Sequence, residues 1–129
     1  MEIKTTNPWK WQEERNYSQA VEVTNITSTL YCSGQTAISA DGISSDADMK
    51  TQLKAAIANL EQLITEAGYE CKNIVRLNVY HTNTSDFFKA FPELQSWIVK
   101  HQIRQATTVV EVKTLFETLT VELEATVVR

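Results

Sequence analysis

With 129 residues, 43% of them hydrophobic and 22% charged, the chain has the size and balance of one ordinary globular domain, which excludes a disordered or fibrous chain, and no second domain is expected. The formal net charge of −4, without a Lys/Arg-rich stretch or a basic stripe interleaved with aromatics, disfavours nucleic acid as a partner, because phosphate binding draws on cationic surface. The N-terminal MEIKTTNPWKWQEERNYSQ has no apolar leader, and no later run approaches the roughly 20 apolar residues of a membrane span, so the expectation is a cytoplasmic protein with no membrane partner.

Residues 1–15 read as an N-terminal extension that packs on the domain or on a neighbouring subunit, with Trp9 and Trp11 spaced to share one side. Residues 16–24 (NYSQAVEVT) and 28–36 (STLYCSGQT) are rich in β-branched and aromatic residues around a short Asn-Ile-Thr turn, which predicts a hairpin. Gly34 interrupts the second strand, a sign of a bulge or of close backbone approach. Asp41-Gly42 is a turn signal.

Met49, Leu53, Ala56, Ile57, Leu60, Leu63, Ile64 and Ala67 recur at three- and four-residue spacing, which predicts a helix over residues 46–67. Ser45 would cap it, Asp46 and Asp48 would sit at the positive end of its dipole, and Gly68 would end it. At 1.5 Å per residue such a helix is about 33 Å long, enough to cross a sheet face.

From Ile74 to His81 the sequence alternates Val75, Leu77 and Val79 with Arg76, Asn78 and Tyr80, a strand with one buried face. Phe87, Phe91, Leu94 and Ile98, with Phe88 and Trp97, form a second apolar stripe, but proline is disruptive inside a helix. Pro92 therefore predicts a turn through 85–90 and a helix from about residue 91. Residues 106–113 (ATTVVEVK) and 119–128 (LTVELEATVV) read as two closing strands.

The order β, β, α, β, α, β, β predicts an α+β fold, a mixed and mainly antiparallel sheet with helices on one face. The other face carries Glu122 and Glu124 and is either solvated or closed by another subunit. Cys32 and Cys71, without CxxC spacing, are expected as free thiols. His81 and His101 fall in no HxH or HExxH pattern, so no metal site is expected.

Taken together, Ser33-Gly34-Gln35, the long helix ending at Gly68, the run Ile74-Val75-Arg76-Leu77-Asn78-Val79-Tyr80 and the terminal Val121-Glu122-Leu123-Glu124-Ala125 resemble the reactive intermediate deaminase (Rid, or YjgF) family over residues 16–129. The resemblance implies a chorismate mutase-like α+β fold and a homotrimer with small-molecule pockets between subunits. In family deaminases an arginine holds the carboxylate of a 2-imino acid, and the imine is hydrolysed to a 2-keto acid and ammonia without cofactor or metal.

Position by position, the resemblance makes Tyr17 a pocket tyrosine, Ser33 and Gly34 a pocket wall, and Glu122 the residue that positions or activates water. The carboxylate-binding stretch of the family reads Pro-Ala-Arg-Ser, a small residue, then Val-Glu-Val. Here it is Gln105-Ala106-Thr107-Thr108-Val109-Val110-Glu111-Val112, so Thr107 replaces the arginine and Val109 the small residue. A guanidinium gives paired, charged hydrogen bonds worth roughly 1.5–3 kcal/mol each, whereas threonine gives one neutral hydroxyl. A standard 2-imino acid deaminase does not fit that replacement.

Without the resemblance, Tyr17 is a strand aromatic, Thr107 an ordinary strand threonine, and spacing does not choose between Glu122 and Glu124. Ser33 has no His and Asp arranged as a triad and reads as a hydrogen-bonding wall group. Arg15 would share the face of Tyr17 if the strand began early, although a solvated arginine is the favoured reading; Arg76 and Arg104 are weaker substitutes. The leading function is hydrolysis of a reactive imine or enamine in an intersubunit pocket, the alternative a noncatalytic ligand-binding or regulatory trimer, and the least favoured an endoribonuclease.

Overall fold

The computed structural model describes residues 1–129. In chain order it forms β1 (Glu2–Thr6), β2 (Ala20–Thr24), β3 (Thr29–Tyr31), α1 (Met49–Glu66), β4 (Ile74–His81), α2 (Thr84–His101), β5 (Ala106–Glu111) and β6 (Val121–Val128). Four strands make a mixed sheet in the order β3-β6-β4-β5, with β4 parallel to β5 and antiparallel to β6. The two helices pack on it in the α+β arrangement that the element order predicts.

Burial explains α1. Met49, Leu53, Ala56, Ile57, Leu60 and Ile64 face the core, and the helix stops where Gly68 adopts φ 82 and Tyr69 N–H returns to Ile64 C=O at 3.0 Å. The cap is Asp48, whose carboxylate accepts from Thr51 N–H at 2.8 Å, and not Ser45, which accepts from Ala47 N–H one turn earlier. Buried Gln52 donates to Ser45 C=O and Thr118 C=O while accepting from Thr120 N–H, so it ties the start of α1 to the entry of β6.

The turn expected through 85–90 is absent, because α2 starts at Thr84 and carries Pro92 inside it. Asn83 caps α2 by accepting from Asp86 N–H at 2.9 Å. An interior proline costs about 3 kcal/mol, and burying one Phe or Leu recovers about 1.5–3 kcal/mol. Phe87, Ala90, Leu94, Trp97 and Ile98 are all buried along one stripe, so packing outweighs the proline.

The predicted hairpin does not form either. β2 pairs antiparallel with β1 in a separate two-stranded sheet, and β3 pairs antiparallel with β6. The segment read as an extension thus supplies a strand, Glu2–Thr6, whose β-branched Ile3, Thr5 and Thr6 are a short strand signal that the reading as an extension passed over. Trp9 and Trp11 remain half-exposed, stacked on each other at 6.2 Å between centroids.

A bulge between Ile74 and Arg76 shifts the alternation at the start of β4, so Ile74 is buried and Val75 is not. Beyond it Leu77, Val79 and His81 face the helices with Val121, Leu123, Ala125 and Val127 from β6. These residues join α1 and α2 in one apolar core, with Cys32 and Cys71 buried as free thiols at its margin.

Candidate functional site

The register of the sheet decides where the expected site residues can meet. Thr107 pairs with Leu77, Val109 with Val79 and Glu111 with His81, so these β5 side chains share the helix-covered face. Glu122 pairs with Tyr80, Glu124 with Asn78 and Thr126 with Arg76, all on the opposite, open face. Within one chain, Glu122 and Thr107 therefore lie on opposite sides of the same sheet.

On the open face the two carboxylates differ. Asn78 and Tyr80 donate to one oxygen of Glu124, at 2.9 and 3.1 Å. Glu122 is half-buried without such donors; burial raises its pKa, and the charge of Glu124 adds to that rise. Gly34 packs on it so closely that a Cβ would stand 2.6 Å from the Glu122 carboxyl carbon, which is the close approach the glycine signalled. Ser33 is exposed beside Gly34, and its carbonyl accepts from the Gln35 side chain at 3.1 Å.

On the other face, a cavity of about 680 Å³ opens between β5, the segment at Tyr17 and α2. Tyr17, Thr107 and Val109 all line it, as does an aromatic wall of Phe87, Phe88 and Phe91. The Thr107 hydroxyl donates to Leu77 C=O, so its one proton is committed to the sheet, as an ordinary strand threonine's would be. Arg15 is the one cationic side chain on the lining; it is exposed and its guanidinium stands 5.1 Å from the Trp11 ring. Arg76 faces the open side of the sheet, and Arg104 reaches Ile3 C=O away from this cavity.

Two further lining groups carry no strong sequence signal. His81 is 3% exposed, stacks on Phe87 at 4.8 Å between ring centroids, and has its Nδ1 buried without a hydrogen-bond partner. Burial holds its pKa below the ordinary histidine range, with Glu111 opposing. Gln105 is 1% exposed, donates through Nε2 to Asn16 C=O at 2.9 Å, and leaves Oε1 buried and unpaired. A buried unpaired polar atom is costly, and both atoms lie beneath the cavity lining with almost no accessible surface. Position on the buried face of a strand was the only signal for His81, and it reads equally as core.

The model of the family described as Endoribonuclease L-PSP matches residues 10–129. The chain belongs to the Rid/YjgF family. A RutC family protein of Pyrococcus abyssi is 30% identical to this Rid/YjgF chain over 110 residues, covering 84% of the chain and 83% of the relative. Among solved structures, a Rid family protein of unknown function from Yersinia pestis, YyfB, superposes with TM-score 0.88 at 25% identity over 100% of both chains. Escherichia coli TdcF, crystallised with bound serine, superposes with TM-score 0.71 at 25% identity over 88% of this chain and 87% of its own. In this Rid/YjgF protein the expected residues thus fall into two groups, Gly34 with Glu122 on the open face and Tyr17, Thr107 and Val109 around the cavity.

Proposed function

We propose that this Rid/YjgF protein acts as a homotrimer whose site forms where the cavity beside Thr107 of one copy meets the Gly34–Glu122 face of another, and that it hydrolyses an imine or enamine there. The separation of the two groups across the sheet carries the reading, because only a second copy can bring Glu122 to the cavity of the first. Glu122 serves as general base on water, a role favoured by a carboxylate raised above its ordinary pKa. Water adds to the C=N carbon and ammonia leaves, giving a carbonyl product.

The ligand is one with an apolar body against Phe87, Phe88 and Phe91. Any carboxylate is met by Arg15 rather than by Thr107. TdcF, with serine bound, supports a small-molecule role for this fold. The endoribonuclease description attached to the family model fits less well with a net charge of −4.

Ammonia release from apolar imines, with and without a carboxylate, tests the proposal, together with size-exclusion analysis of the assembly. Turnover that falls about 10²–10⁴-fold in Glu122→Gln is the expected result. No turnover of either imine class leaves a noncatalytic ligand-binding protein as the reading, full activity in that variant removes Glu122 from the chemistry, and a stable monomer removes the shared site altogether.

A further inference from the structure

Glu61 on α1, Cys71 in the single helical turn Cys71–Asn73 before β4, and His101 at the end of α2 converge away from both groups described above. Their ligand atoms all lie within 4.8 Å of one another. His101 Nε2 stands 2.6 Å from Glu61 Oε1, and the Trp97 indole N–H points at the same carboxylate oxygen at 3.4 Å. Cys71 is buried, whereas the His101 and Glu61 side chains keep 25% and 39% of their surface at the edge of a cavity that Lys72 and Lys100 also line.

We propose that Glu61, Cys71 and His101 form a zinc-binding site whose fourth position opens to water in that cavity. A thiolate, an imidazole and a carboxylate are the ligand types that suit zinc, and three protein ligands plus water is an established coordination for it. The thiolate and carboxylate together balance the dication, so the occupied site is neutral where it is partly buried. As the sulfur–zinc bond forms the thiol proton passes to solvent, and no other covalent bond changes.

The geometry is within reach. Bonds of about 2.0–2.3 Å in a tetrahedron set ligand atoms roughly 3.5 Å apart. The surface-facing His101 and Glu61 side chains supply that adjustment, opening their own contact as the ion enters between them. Trp97 then orients the Glu61 carboxylate from the outer shell, as such donors do at zinc sites.

The test uses the full-length protein, freed of metal with a chelator and titrated with Co²⁺ and then Zn²⁺. The expected result is one cobalt per chain with thiolate-to-cobalt charge-transfer absorption, displaced by zinc, and a Tm that zinc raises. Cys71→Ser should abolish the absorption. Because Cys71 is buried and that variant can misfold, Glu61→Gln and His101→Gln, at partly exposed positions, provide the second arm. An outer-shell partner alone is worth about 10–100-fold in metal affinity, so losing a ligand should cost at least roughly tenfold while circular dichroism stays unchanged. Absence of the charge-transfer band in the unmodified protein, or zinc affinity unchanged in both glutamine variants, overturns the proposal and leaves a His101–Glu61 contact beside a packed thiol.

Discussion

On the helix-covered face of the sheet His81 is stacked against Phe87 and burial lowers its pKa, whereas on the open face Glu122 sits beside Glu124 and burial raises its pKa. Loss of water favours the neutral form in both, so one cause moves a base and an acid in opposite directions. His81 and Tyr80 are neighbours in β4, and Glu122 pairs with Tyr80, so a single step along the strand separates the two environments. The cavity side is built from packed aromatics and unpaired polar atoms, the open side from carboxylates that remain accessible. The proposed function divides ligand recognition and water activation accordingly.

Four experiments break or sharpen that division. The largest effect is expected from Phe87→Ala, which empties a side chain that is 2% exposed and should cost about 3–5 kcal/mol, read by chemical denaturation. A loss under 1 kcal/mol would show that the aromatic wall is not part of the core. Next comes Gly34→Ala, whose Cβ cannot coexist with the present Glu122 position. Because Glu122 can swing away, turnover should fall about 10²-fold, the effect of a displaced catalytic group, with stability nearly unchanged. Equal losses in both would make Gly34 purely structural.

Arg15→Gln should raise KM roughly tenfold for imines that carry a carboxylate, the value of one charged hydrogen bond, and leave uncharged imines alone. A uniform change across both classes would place Arg15 outside recognition. The smallest effects concern pH. His81 has its folded pKa below its ordinary 6.5, so the unfolded chain binds the proton first and stability declines as pH falls through that value. Glu122 has its folded pKa above its ordinary 4.5, so its contribution is full below that value and is lost as pH rises through the raised one. Denaturation midpoints across pH should lose their acid-side decline in His81→Gln and their decline above 4.5 in Glu122→Gln; profiles parallel to the unmodified protein would contradict both assignments.

Much of the architecture was legible because periodicity is a local property. The apolar spacing of α1, the alternation of β6 and Gly68 just past the helix each required only neighbouring residues. The errors came where long-range packing overrode a local rule. Pro92 argued against a helix that five buried side chains hold together, and the link between β2 and β3 suggested a pairing that β1 and β6 each took instead. Glu2–Thr6 was passed over because its strand signal is only three β-branched residues long, and its pairing with β2 is what fixes it.

The sequence by itself determined the family and the α+β class, because motif order and hydrophobic period survive without coordinates, while the roles of Tyr17, Ser33, Gly34, Thr107, Val109 and Glu122 are what the family resemblance implies. Only the tertiary structure decided that Glu122 is the less restrained of the two carboxylates and that the Thr107 hydroxyl is committed to Leu77. It also placed Arg15 and His81 on one cavity. The physical reason is that donors, cavity walls and faces of a sheet are relations between distant residues, and strand register creates them all at once.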